Sequence, residues 1–303
     1  MNRLTACLRS ILPLCLLVFA LHANAQPGQA QPLLEQIRAE FSRLTGTFAV
    51  AFMDAQTGEQ ILFHERETFH AASTMKTPVM IEVFRQVAEG SLRLTDSMVI
   101  RNQFASIVDG SPYALRPEDD SEQDLYKRIG QKLPIYEVMY RMIILSSNLG
   151  TNLIIDKVGA RNVTNTLRNL GARDIQVLRG VEDSKAFAKG LNNTVTAYDL
   201  VILFDQMARG KMIDGPSCDK MIAILKDQRF NEIIPAQLPA GVVVAHKTGS
   251  IRGVQHDSGI VMMPDGRRYS LVLLSKGLTD EPAAIQSMAR VSRMIYDYVN
   301  RAR

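Results

Sequence analysis

The chain has 303 residues, with 35 Lys and Arg against 31 Asp and Glu, five His, three Cys and no Trp. A formal net charge of +4, scattered without a basic run, excludes an electrostatic platform for nucleic acid. The histidines form no H-x-H or H-E-x-x-H spacing, so the sequence offers no metal cluster, and nothing in it calls for a cofactor.

The first segment has the pattern of a secretory signal. Met1-Asn2-Arg3 with Arg9 makes a basic start, Ile11 to Leu21 an apolar core, and Ala23-Asn24-Ala25 an A-x-A cleavage site, with cleavage expected before Gln26. Eleven apolar residues are too few to span a bilayer. Leu14 stands before Cys15 where a lipoprotein signal needs a small residue. The expectation is a periplasmic or secreted protein of residues 26–303, monomeric and without stable membrane insertion. Cys7 and Cys15 leave with the signal, so Cys218 remains alone as a buried apolar residue and no intramolecular disulfide forms.

Along the remaining chain, Pro32 to Leu44 reads as an amphipathic helix, Thr47 to Met53 as a strand, and Gln60 to Glu65 as its hairpin partner. Ser73 to about Asn193 is largely helical in pattern, broken by an Asp-, Ser-, Pro- and Glu-rich loop at Asp109 to Gln123. Leu133 to Leu145 is an apolar helix, and two more follow near Ala197–Arg209 and Ser217–Leu225. Strand pattern returns at Val242–Thr248, His256–Met263 and Arg268–Leu274, before a final helix near Pro282–Val299. With strands at both ends and helices between, the expected α/β (α+β) fold is an antiparallel sheet of about five strands. Terminal helices flank it and an all-helical lobe is inserted. One catalytic domain results, its sheet lobe at 26–72 and 230–303 and its helical lobe at about 73–229.

Three strings carry chemistry: Ser73-Thr74-Met75-Lys76, Ser146-Ser147-Asn148 and Lys247-Thr248-Gly249. On a helix Ser73 and Lys76 share a face one turn apart, so a lysine that burial makes less basic can take the serine proton. Ser146 supplies a second hydroxyl to hand a proton to a leaving nitrogen, and Asn148 an amide for a substrate carbonyl. Lys247, on a strand, suits a substrate carboxylate, with Thr248 or Ser250 as hydroxyl donors. The backbone N–H groups of Ser73 and Ser250 are the simplest oxyanion hole. Roughly one S-x-x-K is expected by chance in a chain this long. A second copy, Ser217-Cys218-Asp219-Lys220, follows Gly215-Pro216 and reads as a helix start. Ser73 differs because an apolar helix begins at Thr77-Pro78-Val79-Met80-Ile81.

The three motifs in this order and layout resemble the class A β-lactamase-like serine hydrolases of the serine β-lactamase and penicillin-binding protein superfamily, over nearly all of residues 26–303. The resemblance implies a sheet domain and an all-α domain with the site between them. It implies Ser73 as nucleophile, Lys76 as its lysine, Ser146 and Asn148 as the second motif, Lys247, Thr248 and Gly249 as the third, and Ser250 as an oxyanion-hole N–H. Ser147 stands where the family usually has Asp, and the stretch from Ser73 to Ser146 is longer than usual, bringing Asp109–Gln123 near the cleft rim. In the omega loop the family pattern is Glu-x-x-x-Asn, which holds the hydrolytic water. Glu182 is placed as that Glu, with Asp183 as competitor. Ala186 stands where the Asn belongs, and Asn192 or Asn193 are possible substitutes. His256-Asp257 reads as a structural or cleft-lining couple. Arg252 weighs equally as a second carboxylate ligand and as a surface residue.

The leading expectation is therefore a serine β-lactamase working through a Ser73 acyl-enzyme. A D,D-peptidase or transpeptidase of cell-wall peptides, and a non-hydrolytic β-lactam- or peptide-binding relative, are the alternatives.

Overall fold

The computed structural model describes residues 30–301. The expected signal sequence and its cleavage site, with Cys7, Cys15 and His22, fall outside the described residues.

Helix α1 (Ala30–Phe41) leads into strand β1 (Thr47–Asp54) and its hairpin partner β2 (Gln60–Phe63). A two-residue strand β3 (Phe69–His70) precedes a 3-10 turn over Ala72–Met75, and this runs directly into α2 (Lys76–Ala88). Three short strands follow, β4 (Ser97–Val99), β5 (Phe104–Ala105) and β6 (Pro112–Tyr113), and then β7 (Lys132–Pro134). Helices α3 (Ile135–Ile144), α4 (Asn148–Val158), α5 (Ala160–Asn169) and α6 (Ser184–Ala188) are followed by β8 (Thr194–Val195). The rest comprises α7 (Ala197–Ala208), α8 (Gly215–Lys226), strands β9 (Val243–Ile251), β10 (Val254–Met262) and β11 (Arg268–Lys276), and α9 (Glu281–Arg301).

The five-stranded sheet has the order β2-β1-β11-β10-β9, antiparallel throughout. It is the expected sheet, built from both ends of the chain. Both faces are covered, so β1 is apolar on both sides and its side chains sort by period two. Phe48, Val50 and Phe52 join the core under α1 and α9, while Ala49, Ala51 and Met53 join the larger core with the central helices. Helix α9 buries Ala284, Met288, Val291, Ile295 and Val299, a three-and-four spacing that makes one stripe. Helix α7 covers the other sheet face. Helix α2 is buried on all sides over Lys76–Phe84, mostly by apolar side chains, and packs among α3, α4, α5 and α8. Pro78 sits in its opening turn, where a missing N–H costs little.

The small pairs β3–β8, β4–β7 and β5–β6 were not anticipated, and β6 falls inside the stretch expected to be a plain loop. Strands of two or three residues are too short to show a period. They matter for the site because β3–β8 anchors the approach to Ser73, and β5–β6 braces the segment around Glu182.

Candidate active site

The three motifs converge on one cleft. Ser73 lies in the 3-10 turn that opens α2, Ser146-Ser147-Asn148 bridges the end of α3 and the start of α4, and Lys247-Thr248-Gly249 runs along the edge strand β9. A cavity of about 760 Å³ is lined by Ser73, Asn148, Glu182, Ser250 and Arg252, among others. Gly249 is where β9 meets the nucleophile turn. A Cβ there would lie 3.2 Å from the Ser73 nitrogen and 3.1 Å from that of Thr74, a tight fit against backbone, so glycine eases this close approach. Ser250 faces the cleft and its hydroxyl accepts from Gln255 Nε2 at 2.9 Å.

Two lysines meet at Ser146. Lys76 Nζ donates to the Ser146 carbonyl at 2.6 Å and to Asn148 Oδ1 at 2.9 Å, and lies 3.2 Å from Ser146 Oγ. Lys247 Nζ donates to the same Oγ at 3.1 Å and to the Thr248 carbonyl at 2.9 Å. Both side chains are fully buried. Burial drives Lys76 down to about 7, against the opposing pull of Asp120 and Glu182. Burial, then the charge of Lys76, holds Lys247 well below the ordinary lysine value, while Asp257 opposes the shift. The carbonyl and amide oxygens around Lys76 can only accept, so two of its N–H groups are committed. A neutral Lys76 therefore keeps its lone pair free to take a proton, and once protonated its third N–H reaches Ser146 Oγ, which also accepts from Lys247. Such a chain can carry a proton. Among the described residues no hydrogen bond joins the Ser73 hydroxyl to Lys76. Contacts of this kind tighten when substrate is bound.

Of the four described non-glycine residues with positive φ, three are at this site: Ala72 (φ 44°), Ser146 (φ 56°) and Glu182 (φ 62°). Each such conformation costs on the order of 1–3 kcal/mol and persists only where its surroundings hold it. At Ser146 the hold is the carbonyl bond to Lys76, with the Ser147 N–H on the Arg141 carbonyl at 3.3 Å.

The second motif is completed by a residue that the sequence did not single out. Ser147, in place of the family's Asp, caps α4 through its Oγ, which accepts from Gly150 N at 3.1 Å. The carboxylate comes instead from Asp120, in the long polar loop. Its oxygens accept from the Asn148 N–H at 3.0 and 2.9 Å, from Leu149 N–H at 2.9 Å and from the Tyr126 hydroxyl at 2.9 Å. A negative charge on the first N–H groups of a helix is favourable there. Asp120→Ala is expected to lower stability by about 1–3 kcal/mol, since it strands two N–H groups in a buried place. Urea unfolding checks this; an unchanged midpoint would show that the cap contributes nothing.

The segment after α5 separates Glu182 from Asp183. Asn152 on α4 grips Val181, accepting from its N–H at 2.6 Å and donating to its carbonyl at 3.1 Å. Glu182 is thereby turned to the cleft, where its Oε1 accepts from Asn148 Nδ2 at 2.7 Å. It is open to the cleft, yet the cleft walls withdraw enough water to raise its carboxyl, and Asp120 and Asp119 add to this against the Asn148 bond. Asp183 points the other way. It is buried, caps α6 at Ala186 N (3.0 Å) and takes Ser106 Oγ and Ile107 N at 2.9 and 3.0 Å. Burial pushes that carboxyl up, but these hydrogen bonds outweigh it and hold it below the usual range. Asp183 is thus a structural clamp onto the β5–β6 hairpin.

Neither amide considered as a substitute for the family's Asn is available. Asn192 Oδ1 takes Arg179 at 3.0 Å, and Asn193 binds Leu178, Arg179 N and the Arg179 carbonyl. Ala186 is fully buried in α6, so an amide introduced there would enter packed surroundings.

The adjacent His256 and Asp257 are not a couple. Neighbours on a strand face opposite sides, and the partner of Asp257 is His246, 2.8 Å away on β9. The other His246 nitrogen meets Asn231 Oδ1 at 3.1 Å, and Asp257 also takes the Ile234 N–H at 3.0 Å, a buried structural network. His256 is buried and held down to about 4, chiefly by burial. Ser217 lies in the first turn of α8, capped by Asp214 at 2.6 Å, and Cys218 is buried and free. No metal-binding group of His, Cys, Asp and Glu occurs among the described residues, nor is any described helix long and apolar enough to cross a membrane.

Residues 32–299 match the profile of a family described as the beta-lactamase enzyme family. A β-lactamase of Bacteroides uniformis is 24% identical over 253 residues, 79% of this chain and 82% of the relative. A solved β-lactamase from Sphaerobacter thermophilus aligns with a TM-score of 0.75 at 26% identity, over 91% of this chain and 98% of that one. A variant of PBP-A, determined as its acyl-enzyme complex with penicillin G, aligns with a TM-score of 0.76 at 29% identity, over 89% and 97%.

Proposed function

Since this chain belongs to the beta-lactamase enzyme family, we propose that it is a serine β-lactamase that opens β-lactam rings through an ester on Ser73. Ser73 Oγ attacks the lactam carbonyl carbon and gives its proton to neutral Lys76. The carbon–nitrogen bond breaks, and the proton passes through Ser146 to the ring nitrogen. Water then attacks the ester, giving its proton to Glu182. The carbon–oxygen bond of the ester breaks, Ser73 Oγ takes up the proton that Glu182 accepted, and the ring-opened acid departs. Lys247 serves the substrate carboxylate, with Thr248 and Ser250 beside it. Asn148 serves the substrate amide, and the N–H groups of Ser73 and Ser250 the developing oxyanion.

The observation that carries this reading is Ser146 Oγ set between two buried, weakened lysines. A merely structural cluster has no use for two buried lysines beside one hydroxyl, each costly to keep charged there. The penicillin G acyl-enzyme of the PBP-A variant gives further support by likeness. The peptidase alternative draws on one specific feature: Glu182 has Asn148 as its amide partner, while Ala186 and the engaged Asn192 and Asn193 give a water no second hold. The expected outcome is slow but genuine turnover of a chromogenic cephalosporin. A single stoichiometric burst with no turnover, alongside cleavage of a D-Ala-D-Ala peptide, would replace this reading with the peptidase one. The mature form beginning at Gln26, exported and monomeric, is part of the proposal; a purified N-terminus that retains Leu16-Leu17-Val18 would refute the export.

A further inference from the structure

We infer that His70 is a positioning residue for the nucleophile: its Nδ1 holds the Ala72 N–H and so fixes the left-handed turn that aims Ser73 into the cleft. This rests on the reading of Ser73 as the acylated serine. The bond from Ala72 N to His70 Nδ1 is 3.0 Å long, and Ala72 has φ 44° with no glycine to ease it. A side chain that accepts from the N–H two residues on is the geometry by which Asn and Asp shape a turn. A histidine ring presents its Nδ1 at the same number of bonds from the backbone.

The rest of the approach to Ser73 is tied by other groups. Ala71 N–H bonds the Asn193 carbonyl at 2.8 Å, and the Ala71 carbonyl takes Thr74 N at 3.0 Å and Thr74 Oγ1 at 2.6 Å. The His70 carbonyl faces His256 Nε2 at 2.9 Å, while His256 Nδ1 accepts from Ser275 N at 3.1 Å. Ala72 N–H is held by the imidazole, and His70 lines the cleft, its ring inclined at 67° to that of Phe187. Burial, then the nearby Arg179 guanidinium, keeps His70 below the ordinary histidine value, so Nδ1 stays an acceptor. Protonation there would set N–H against N–H and release Ala72.

The test compares the full chain with His70→Leu, which keeps bulk without an acceptor, and His70→Asn, which keeps an acceptor with less bulk. His70→Leu should slow acylation by penicillin about 10–10²-fold, the scale of a misplaced reacting group, with the later loss of the adduct unchanged. His70→Asn should recover most of the rate. Equal slowing in both variants, or none in His70→Leu, overturns the inference. Amide hydrogen exchange over residues 70–75 without substrate gives a second, independent reading. Ala72 should exchange about tenfold faster in His70→Leu, as for one lost hydrogen bond, and near the wild-type rate in His70→Asn. Should penicillin fail to acylate the unaltered protein, the proposed function falls, and this exchange pattern alone decides on His70: unchanged protection in His70→Leu overturns it.

Discussion

Lys76→Ala should slow acylation of Ser73 by about 10²–10⁴-fold, the range for loss of a group that moves a proton in the transition state. The lysine is fully buried and drawn down to about 7, so near neutral pH its two protonation states are nearly balanced. The neutral form has the lone pair that accepts the Ser73 proton. Acylation by the unaltered protein should therefore rise with pH through about 7 and then level, and this limb should vanish with Lys76→Ala. Because the effect is on the proton in flight, non-covalent capture of the substrate should change much less. Stopped-flow acylation over a pH series separates the two. A variant that only binds more weakly and keeps its acylation rate would remove Lys76 from the proton path.

Glu182→Gln should leave acylation nearly intact and prolong the ester by a similar 10²–10⁴-fold, because only the second half of the reaction needs a carboxylate. The substitution keeps shape, and the amide oxygen can still accept from Asn148 Nδ2, now 2.7 Å from Glu182 Oε1. What is lost is the basic oxygen. The sign of the pH dependence follows from the raised carboxyl: the base works only when ionised, so hydrolysis of the ester should fall as pH drops through that raised value. Glu182→Gln should abolish this fall. An ester lifetime unchanged by the substitution would mean that the water is activated elsewhere, and the peptidase reading would overtake.

The large elements were legible because each carries its pattern over many residues. Thr47–Met53 is an apolar run buried on both faces, the three late strands are buried in the same way, and the last helix shows the stripe it buries. Ser73, Lys76, Ser146, Asn148 and Lys247 were legible because their spacing is local, and the fold then brings the three strings to one cleft. What escaped was contact across long stretches of chain. Asp120 caps α4 from 28 residues away, and nothing in an acidic loop marks one carboxylate for that work. Glu182 and Asp183 are adjacent and chemically alike; the φ of Glu182 and the grip of Asn152 on Val181 point them apart. One correction was within reach. His246 pairs with Gly259 in the ladder, which puts Asp257 two residues along on the same face, whereas His256 must face the other side.

The mass of the intact protein, followed over time after mixing with benzylpenicillin, tests the central claim most directly. The account predicts one added penicillin per chain, located on Ser73 by peptide mapping, absent from Ser73→Ala, and lost slowly as ring-opened acid is released. An adduct that survives Ser73→Ala or maps to Ser217, or the absence of any adduct while the antibiotic is still consumed, would contradict it.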